Sequence, residues 1–130
     1  MTRITRGSCN CGSITWEVTG EMRPIIACHC GQCRKQTGSH YAATAASDED
    51  LTIKGNTLKW YKASPTAKRG FCSECGSALF WKHEAVDYTS ILAGSIDGPT
   101  GLEIAEHIFV HDKPDWYEIT DGKPIRAGDN

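Results

Sequence analysis

Seven cysteines constrain this chain more than any other feature, because they fall into three tight groups. Cys9 and Cys11 form Cys-x-Cys, Cys28, Cys30 and Cys33 form Cys-x-Cys-x-x-Cys, and Cys72 and Cys75 form Cys-x-x-Cys. Such groups become disulfides, ligands of a metal, or reactive thiols tuned by their neighbours. The count is odd, so the seven cannot all pair within one chain. The opening "MTRITRGSCNCG" lacks the apolar core of a signal peptide, and no apolar run approaches the ~20 residues that cross a bilayer. The expected location is a reducing cytoplasm, where clustered cysteines mark metal or redox sites rather than disulfides.

The two-residue gap in Cys-x-x-Cys lets one tight turn aim both sulfurs at a single ion. Gly76, directly after Cys75, supplies the positive φ that such a turn often needs. Zinc suits a tetrahedral thiolate site and undergoes no redox change. Spacing alone leaves two partitions open. Cys30 and Cys33 with Cys72 and Cys75 would make a zinc ribbon and leave three cysteines scattered. Cys9, Cys11, Cys72 and Cys75 would make one closed four-thiolate site, with Cys28, Cys30 and Cys33 as a second, three-ligand site. Three protein ligands and an open position are the mark of a catalytic zinc. The second partition uses every cysteine and is preferred.

The rest of the chain predicts an all-β, mainly β fold. The 130 residues suffice for one domain with a real core. No window shows a clean helical repeat of apolar residues. "SITWEVTG" alternates Ile14, Trp16 and Val18 against polar neighbours, the pattern of a half-buried strand. "SALFWKH", "YTSILAGSI" and "EIAEHIFV" are further strands by their β-branched and aromatic content. "LTIKGNTLKWYKA" reads as a hairpin about Gly55-Asn56. Only "GQCRKQTG" offers a helical turn, stopped by Gly38, and the tail reads as loop. The net charge of −2 supplies no field for nucleic acid, and zinc thiolate sites would make the chain more negative still.

The order Cys-x-Cys, "CHCGQCRKQTG", "RGFCSECGSALFW", "AGSID" and "HIFVHDKPDWYEI" resembles the glutathione-dependent formaldehyde-activating enzyme family, also called the CENP-V/GFA domain. The likeness runs from about Cys9 to Ile119 and implies an Mss4-like fold of short antiparallel strands with zinc knuckles. It implies a single domain over residues 1–130, with a core over about 7–120 and a C-terminal tail over 121–130. It also implies two zinc ions, one structural on Cys9, Cys11, Cys72 and Cys75 and one catalytic on Cys28, Cys30 and Cys33. The implied reaction is that of a carbon–sulfur lyase joining glutathione, as cosubstrate, to formaldehyde or another small aldehyde.

Around that chemistry the residues offer further candidates. His29, between two ligands, is a candidate supporting donor or proton carrier. Arg34, Lys35, Gln32 and Arg69 are candidates for contacts with glutathione, the cations through its carboxylates, although runs of charge are usually solvated faces. Lys68 shares that reading. His40, His107 and His111 are read as structural or surface histidines, and Thr37 as a turn cap or substrate contact. The expected partners are a small-molecule thiol and an aldehyde, with no nucleic acid, no membrane, and a monomer or homodimer. Two rival functions stand beside the lyase: a zinc-stabilised binding module without catalysis, in which a further ligand closes the second site, and a thiol redox sensor.

Overall fold

The computed structural model describes residues 3–128. It is mostly β with one short helix, as the strand patterns predict. In chain order the strands are β1 (Ile4–Ser8), β2 (Thr15–Thr19), β3 (Ile25–Cys28), β4 (Tyr41–Ser47), β5 (Leu51–Lys54), β6 (Leu58–Lys62), β7 (Ala67–Cys72), β8 (Ala78–His83), β9 (Tyr88–Leu92) and β10 (Ile104–Ile108). The helix α1 (Gly31–Thr37) lies between β3 and β4 and ends at Gly38, whose φ of 87° is the left-handed cap that the sequence calls for. No helix among the described residues is long and apolar enough to cross a membrane.

The chain forms two compact units, residues 1–23 with 44–101 and residues 24–43 with 102–130. In the first, β2 pairs antiparallel with β1 and with β5. β7 pairs antiparallel with β6 and β8, and β8 with β9. The core of this unit gathers Ile14, Trp16, Val18, Leu79, Phe80 and Ile91, with Cys9 and Cys72 in the same cluster. Each large apolar side chain fully withdrawn from water stabilises the fold by roughly 1.5–3 kcal/mol. Trp16 sits across from Gly7, where an added Cβ would fall 2.1 Å from the indole ring. Its Nε1–H donates to Ser95 Oγ at 3.0 Å, so the buried indole keeps a partner.

The expected hairpin about Gly55-Asn56 does not form. Both strands exist, but β5 pairs with β2 and β6 with β7. The alternation of β5 turns Leu51 and Ile53 inward while Thr52 and Lys54 face solvent, and Ile53 stands opposite Trp16. Burial against that partner decides the pairing over the local turn. Gly55, at φ 121°, takes the chain past the backbone of Ser13, where a Cβ would lie 2.2 Å from the Ser13 carbonyl oxygen.

In the second unit β3 pairs with the first residues of β4, Ile26 opposite Ala43 through Cys28 opposite Tyr41. On its other side β3 runs parallel to β10, with His107 beside Ala27 and Ile108 beside Cys28. The strands are thus not all antiparallel. A parallel pair needs a long crossover, and the chain between Cys28 and Ile104 supplies one. Among the described residues, the segment after β10 has no strand of its own, as its prolines predict, but it is tied down. His107 N–H donates to Pro124 C=O and Arg126 N–H donates to His107 C=O.

Candidate metal centres

Each unit holds one cysteine group. Cys9, Cys11, Cys72 and Cys75 bring their sulfurs within 4.8 Å of one another, and so do Cys28, Cys30 and Cys33. Four thiolates at ~2.3 Å from one ion in a tetrahedron stand roughly 3.8 Å apart. Cys9 and Cys11 are 3.6 Å apart and Cys11 and Cys72 are 3.8 Å apart, so the first group fits such an ion.

Two turns build the four-cysteine group. In one, Gly12 N–H donates to Cys9 C=O and Ile14 N–H reaches Cys9 Sγ at 3.3 Å. In the other, Cys72 closes on Ser77, and Gly76, at φ 78°, donates to Cys72 C=O at 2.8 Å. That is the turn Gly76 announces in the sequence. Hydroxyls then line the sulfurs. Ser13 Oγ stands 3.1 Å from Cys11 Sγ, 3.4 Å from Cys72 Sγ and 2.7 Å from Thr57 Oγ1. Thr57 Oγ1 is 3.4 Å from Cys72 Sγ, and Ser77 Oγ is 3.2 Å from Cys75 Sγ. Burial alone raises a thiol pKa. Here the hydroxyls of Ser13 and Thr57 hold Cys72 down at about 5, and Ser77 holds Cys75 at about 7. The sequence reading missed these three hydroxyl residues; Ser13 and Ser77, each two positions past a cysteine, were the available signal.

The three-cysteine group comes from a single loop at the end of β3. Cys30 is the N-cap of α1, and its Sγ accepts Cys33 N–H at 3.3 Å. Cys33 and Cys28 sulfurs stand 3.3 Å apart. Crowding by Cys30 and Cys33, with burial, pushes the Cys28 thiol far above its ordinary range. Three thiols this close cannot all ionise unless a cation balances them. No histidine, carboxylate or further cysteine among the described residues completes a fourth position. On the same helix Arg34 is half-buried and keeps its Nε withdrawn from solvent without a hydrogen-bond partner among the described residues. Lys35 and Gln32 are exposed. Thr37 is a cap, donating to Cys33 C=O at 2.8 Å. Arg69 lies in β7 of the first unit and is buried, and Lys68 stands over the Trp60 ring at 4.3 Å.

A histidine cluster adjoins the loop. His29 and His107 are both buried, and His29 Nε2 lies 2.8 Å from His107 Nδ1. His107 Nε2 lies 2.8 Å from the Asp121 carboxylate. The Tyr117 ring stacks on His29 at 5.7 Å, and His40 is 5.1 Å from it. Burial, then the charges of His40, His107 and Lys113, lowers His29 to about 4, so its ring is neutral at physiological pH. His111 is mostly exposed, as expected, and bonds Ala127 C=O. Nothing in the spacing announces His107, because His29 and His107 are 78 positions apart. Parallel pairing of β10 with β3 brings them together.

Residues 4–112 match a sequence model of the family described as "Glutathione-dependent formaldehyde-activating enzyme". The chain belongs to this family. A Halomonas elongata protein named as a candidate glutathione-dependent formaldehyde-activating enzyme is 30% identical over 89% of this chain and 81% of its own length. An uncharacterized lyase of Schizosaccharomyces pombe is 25% identical over 87% of this chain and 83% of its own. A crystal structure of a Rhodobacter sphaeroides protein superposes with a TM-score of 0.62 at 25% identity, covering 74% of this chain and 91% of that one. In this member of the glutathione-dependent formaldehyde-activating family, all seven cysteines lie inside the matched residues, while Tyr117 and Asp121 lie beyond them.

Proposed function

We propose that this chain is a zinc-dependent carbon–sulfur lyase that adds a thiol such as glutathione to formaldehyde, or releases it. The observation that carries the reading is the three-cysteine loop: three thiols within 4.8 Å of one another, with no fourth protein ligand among the described residues. Cys28, Cys30 and Cys33 would hold one zinc, and Cys9, Cys11, Cys72 and Cys75 a second, structural one. A zinc ion in the loop supplies a lowered pKa to a thiol bound beside it and holds that sulfur in place.

In the addition, a bond forms between the thiol sulfur and the aldehyde carbon. The C=O π-bond breaks, and the thiol proton ends on the new hydroxyl. The protein's own part is mostly positioning. Three thiolates leave a zinc site at net −1, so cations must favour an incoming anionic thiol. Arg34 and Lys35 follow Cys33 directly, and the unpartnered Nε of Arg34 is a donor that a substrate carboxylate would satisfy.

The test is exchange NMR with 13C-formaldehyde and glutathione, where the uncatalysed rate is read from the same mixture without protein. Wild-type protein should speed the interconversion with S-hydroxymethylglutathione, and Cys33→Ser should return it to the uncatalysed rate. A wild-type rate equal to background sinks the reading. The redox-sensor reading has one observation in its favour, the 3.3 Å between Cys28 and Cys33 sulfurs. It requires that peroxide, as oxidant, join those two sulfurs in the zinc-loaded protein and expel the metal.

A further inference from the structure

The family match stops at residue 112, yet the hydrogen bonds that steady the three-cysteine loop continue into the tail. His29, between Cys28 and Cys30, is held twice. Its backbone N–H donates to Ile108 C=O at 3.0 Å, and its Nε2 meets His107 Nδ1 at 2.8 Å. His107 is in turn held three times by the tail: its N–H by Pro124, its C=O by Arg126, and its Nε2 by Asp121 at 2.8 Å. The Asp121 carboxylate is fixed as an acceptor by the Lys123 backbone N–H at 3.0 Å and by His107, which together keep its pKa below the ordinary carboxylate value.

The chemistry of these groups orders the protons. An ionised carboxylate only accepts, so His107 carries its proton on Nε2. A neutral ring then presents Nδ1 as an acceptor, and His29 must donate from its own Nε2. The alternative is a charged His107 ring that donates from both nitrogens and forces the His29 proton onto Nδ1. His107 is 0% exposed, and His29, packed on it, is 1% exposed, so each ring's hydrogen bonds are made to the other and to Asp121 in a water-poor setting. Tyr117, also beyond the family match, stacks on His29 and adds a second contact from the tail.

We propose that Asp121 is a positioning residue for the three-cysteine loop, acting through His107 to fix the tautomer and orientation of His29. Partners hydrogen-bonded directly to a metal ligand typically alter affinity or activity about 10- to 100-fold when lost, and Asp121, which acts through two histidines, belongs at the lower end of that range. The proposal rests on the reading of the loop as a zinc site for its effect on affinity, but not for the proton order itself. The Asp121 side chain is 37% exposed, so replacing it removes an acceptor without emptying a core.

The experiment takes the full chain, zinc-loaded and 15N-labelled, and reads the histidine ring nitrogens by long-range 1H–15N correlation. In the wild type, His29 and His107 should each carry their proton on Nε2. In Asp121→Ala both rings should lose that fixed pattern, and competition with a chelator should show the loop's zinc bound about tenfold more weakly. The four-cysteine site should be unchanged, and Asp121→Asn, whose amide oxygen still accepts, should lie between wild type and Asp121→Ala. A wild-type His29 protonated on Nδ1 overturns the proposal, with no variant needed. So does an Asp121→Ala protein whose His29 pattern is retained and whose loop binds zinc within twofold of wild type. These readouts use no substrate. The expected pattern in a protein without lyase activity would sink the functional reading alone, whereas an active enzyme whose His29 ignores Asp121 would sink the relay alone.

Discussion

The four-cysteine group and the three-cysteine loop use the same ligand atom in opposite settings. The first draws on two distant turns of one unit, and hydroxyls of Ser13, Thr57 and Ser77 surround its sulfurs. Those donors stabilise thiolate before any metal arrives, and Cys72 also belongs to the hydrophobic core. The second draws on six consecutive positions, and its sulfurs have mostly one another for neighbours. It gains most from a cation, and it is tied to the rest of its unit through His29 as well as through buried Cys33. On the proposed reading, a metal in the first group would support the fold, while a metal in the second would leave the fold standing and change the chemistry of the loop.

The largest effect should come from Cys72→Ser. It removes a proposed ligand that is also a core residue, and structural thiolate sites contribute folding energy outright. Loss of the cooperative thermal transition, with less than one zinc per chain, is the expected result; a folded variant would mean that the group is not structural. Next comes Cys33→Ser. Zinc should fall from two ions to one by elemental analysis, the melting temperature should stay within a few degrees, and thiol–formaldehyde exchange should lose its acceleration. Simultaneous loss of both ions would erase the contrast between the sites.

Gly7→Ala sharpens the contrast from the packing side. Its Cβ would meet the Trp16 ring at 2.1 Å, and overpacking of this kind costs about 1–3 kcal/mol. Denaturant unfolding should show that loss while both zinc ions are retained, since no ligand is touched.

Acid should separate the sites in a definite order. Protons compete with a metal for thiolate, and they compete less where the thiol pKa is depressed. Cys11 is itself raised, but Cys72 at about 5 and Cys75 at about 7 should keep the first group's zinc to lower pH than the loop, where Cys28 is raised much further. A chromogenic chelator followed from about pH 8 to pH 5 should report one ion released before the other, and Cys33→Ser should lack the earlier step. The smallest effect is that of Lys35→Gln. Lys35 is exposed, so the KM for glutathione should rise only a few-fold, with the KM for formaldehyde unchanged.

Much of this was legible in the residues. The alternation of Ile14, Trp16 and Val18 gave β2 with its inward face, and Gly38 and Gly76 sit at the positive φ that their places in the helix cap and the knuckle require. Less legible were β1, β3, β4 and β7. β4 is rich in alanine, and β7 carries Lys68, Arg69 and Gly70, so neither has the β-branched signature of a strand. The hairpin at Gly55-Asn56 shows the limit of local turn chemistry, because β5 finds its partner in β2, far earlier in the chain.

Sequence by itself determined the short cysteine motifs, the family and the mainly β character. Each rests on short spacings or local alternation, and backbone geometry acts over a few residues; only the fold brings Cys9 and Cys11 to Cys72 and Cys75. Tertiary structure alone decided what surrounds the sulfurs. Ser13 and Thr57 reach Cys72, and His107 and Asp121 reach back toward His29, across separations of 14 to 78 residues. No periodicity encodes those meetings, because they follow from which strands pair and in what register. The cysteine motifs are therefore written in the chain, while their acidity and support follow from the way it folds.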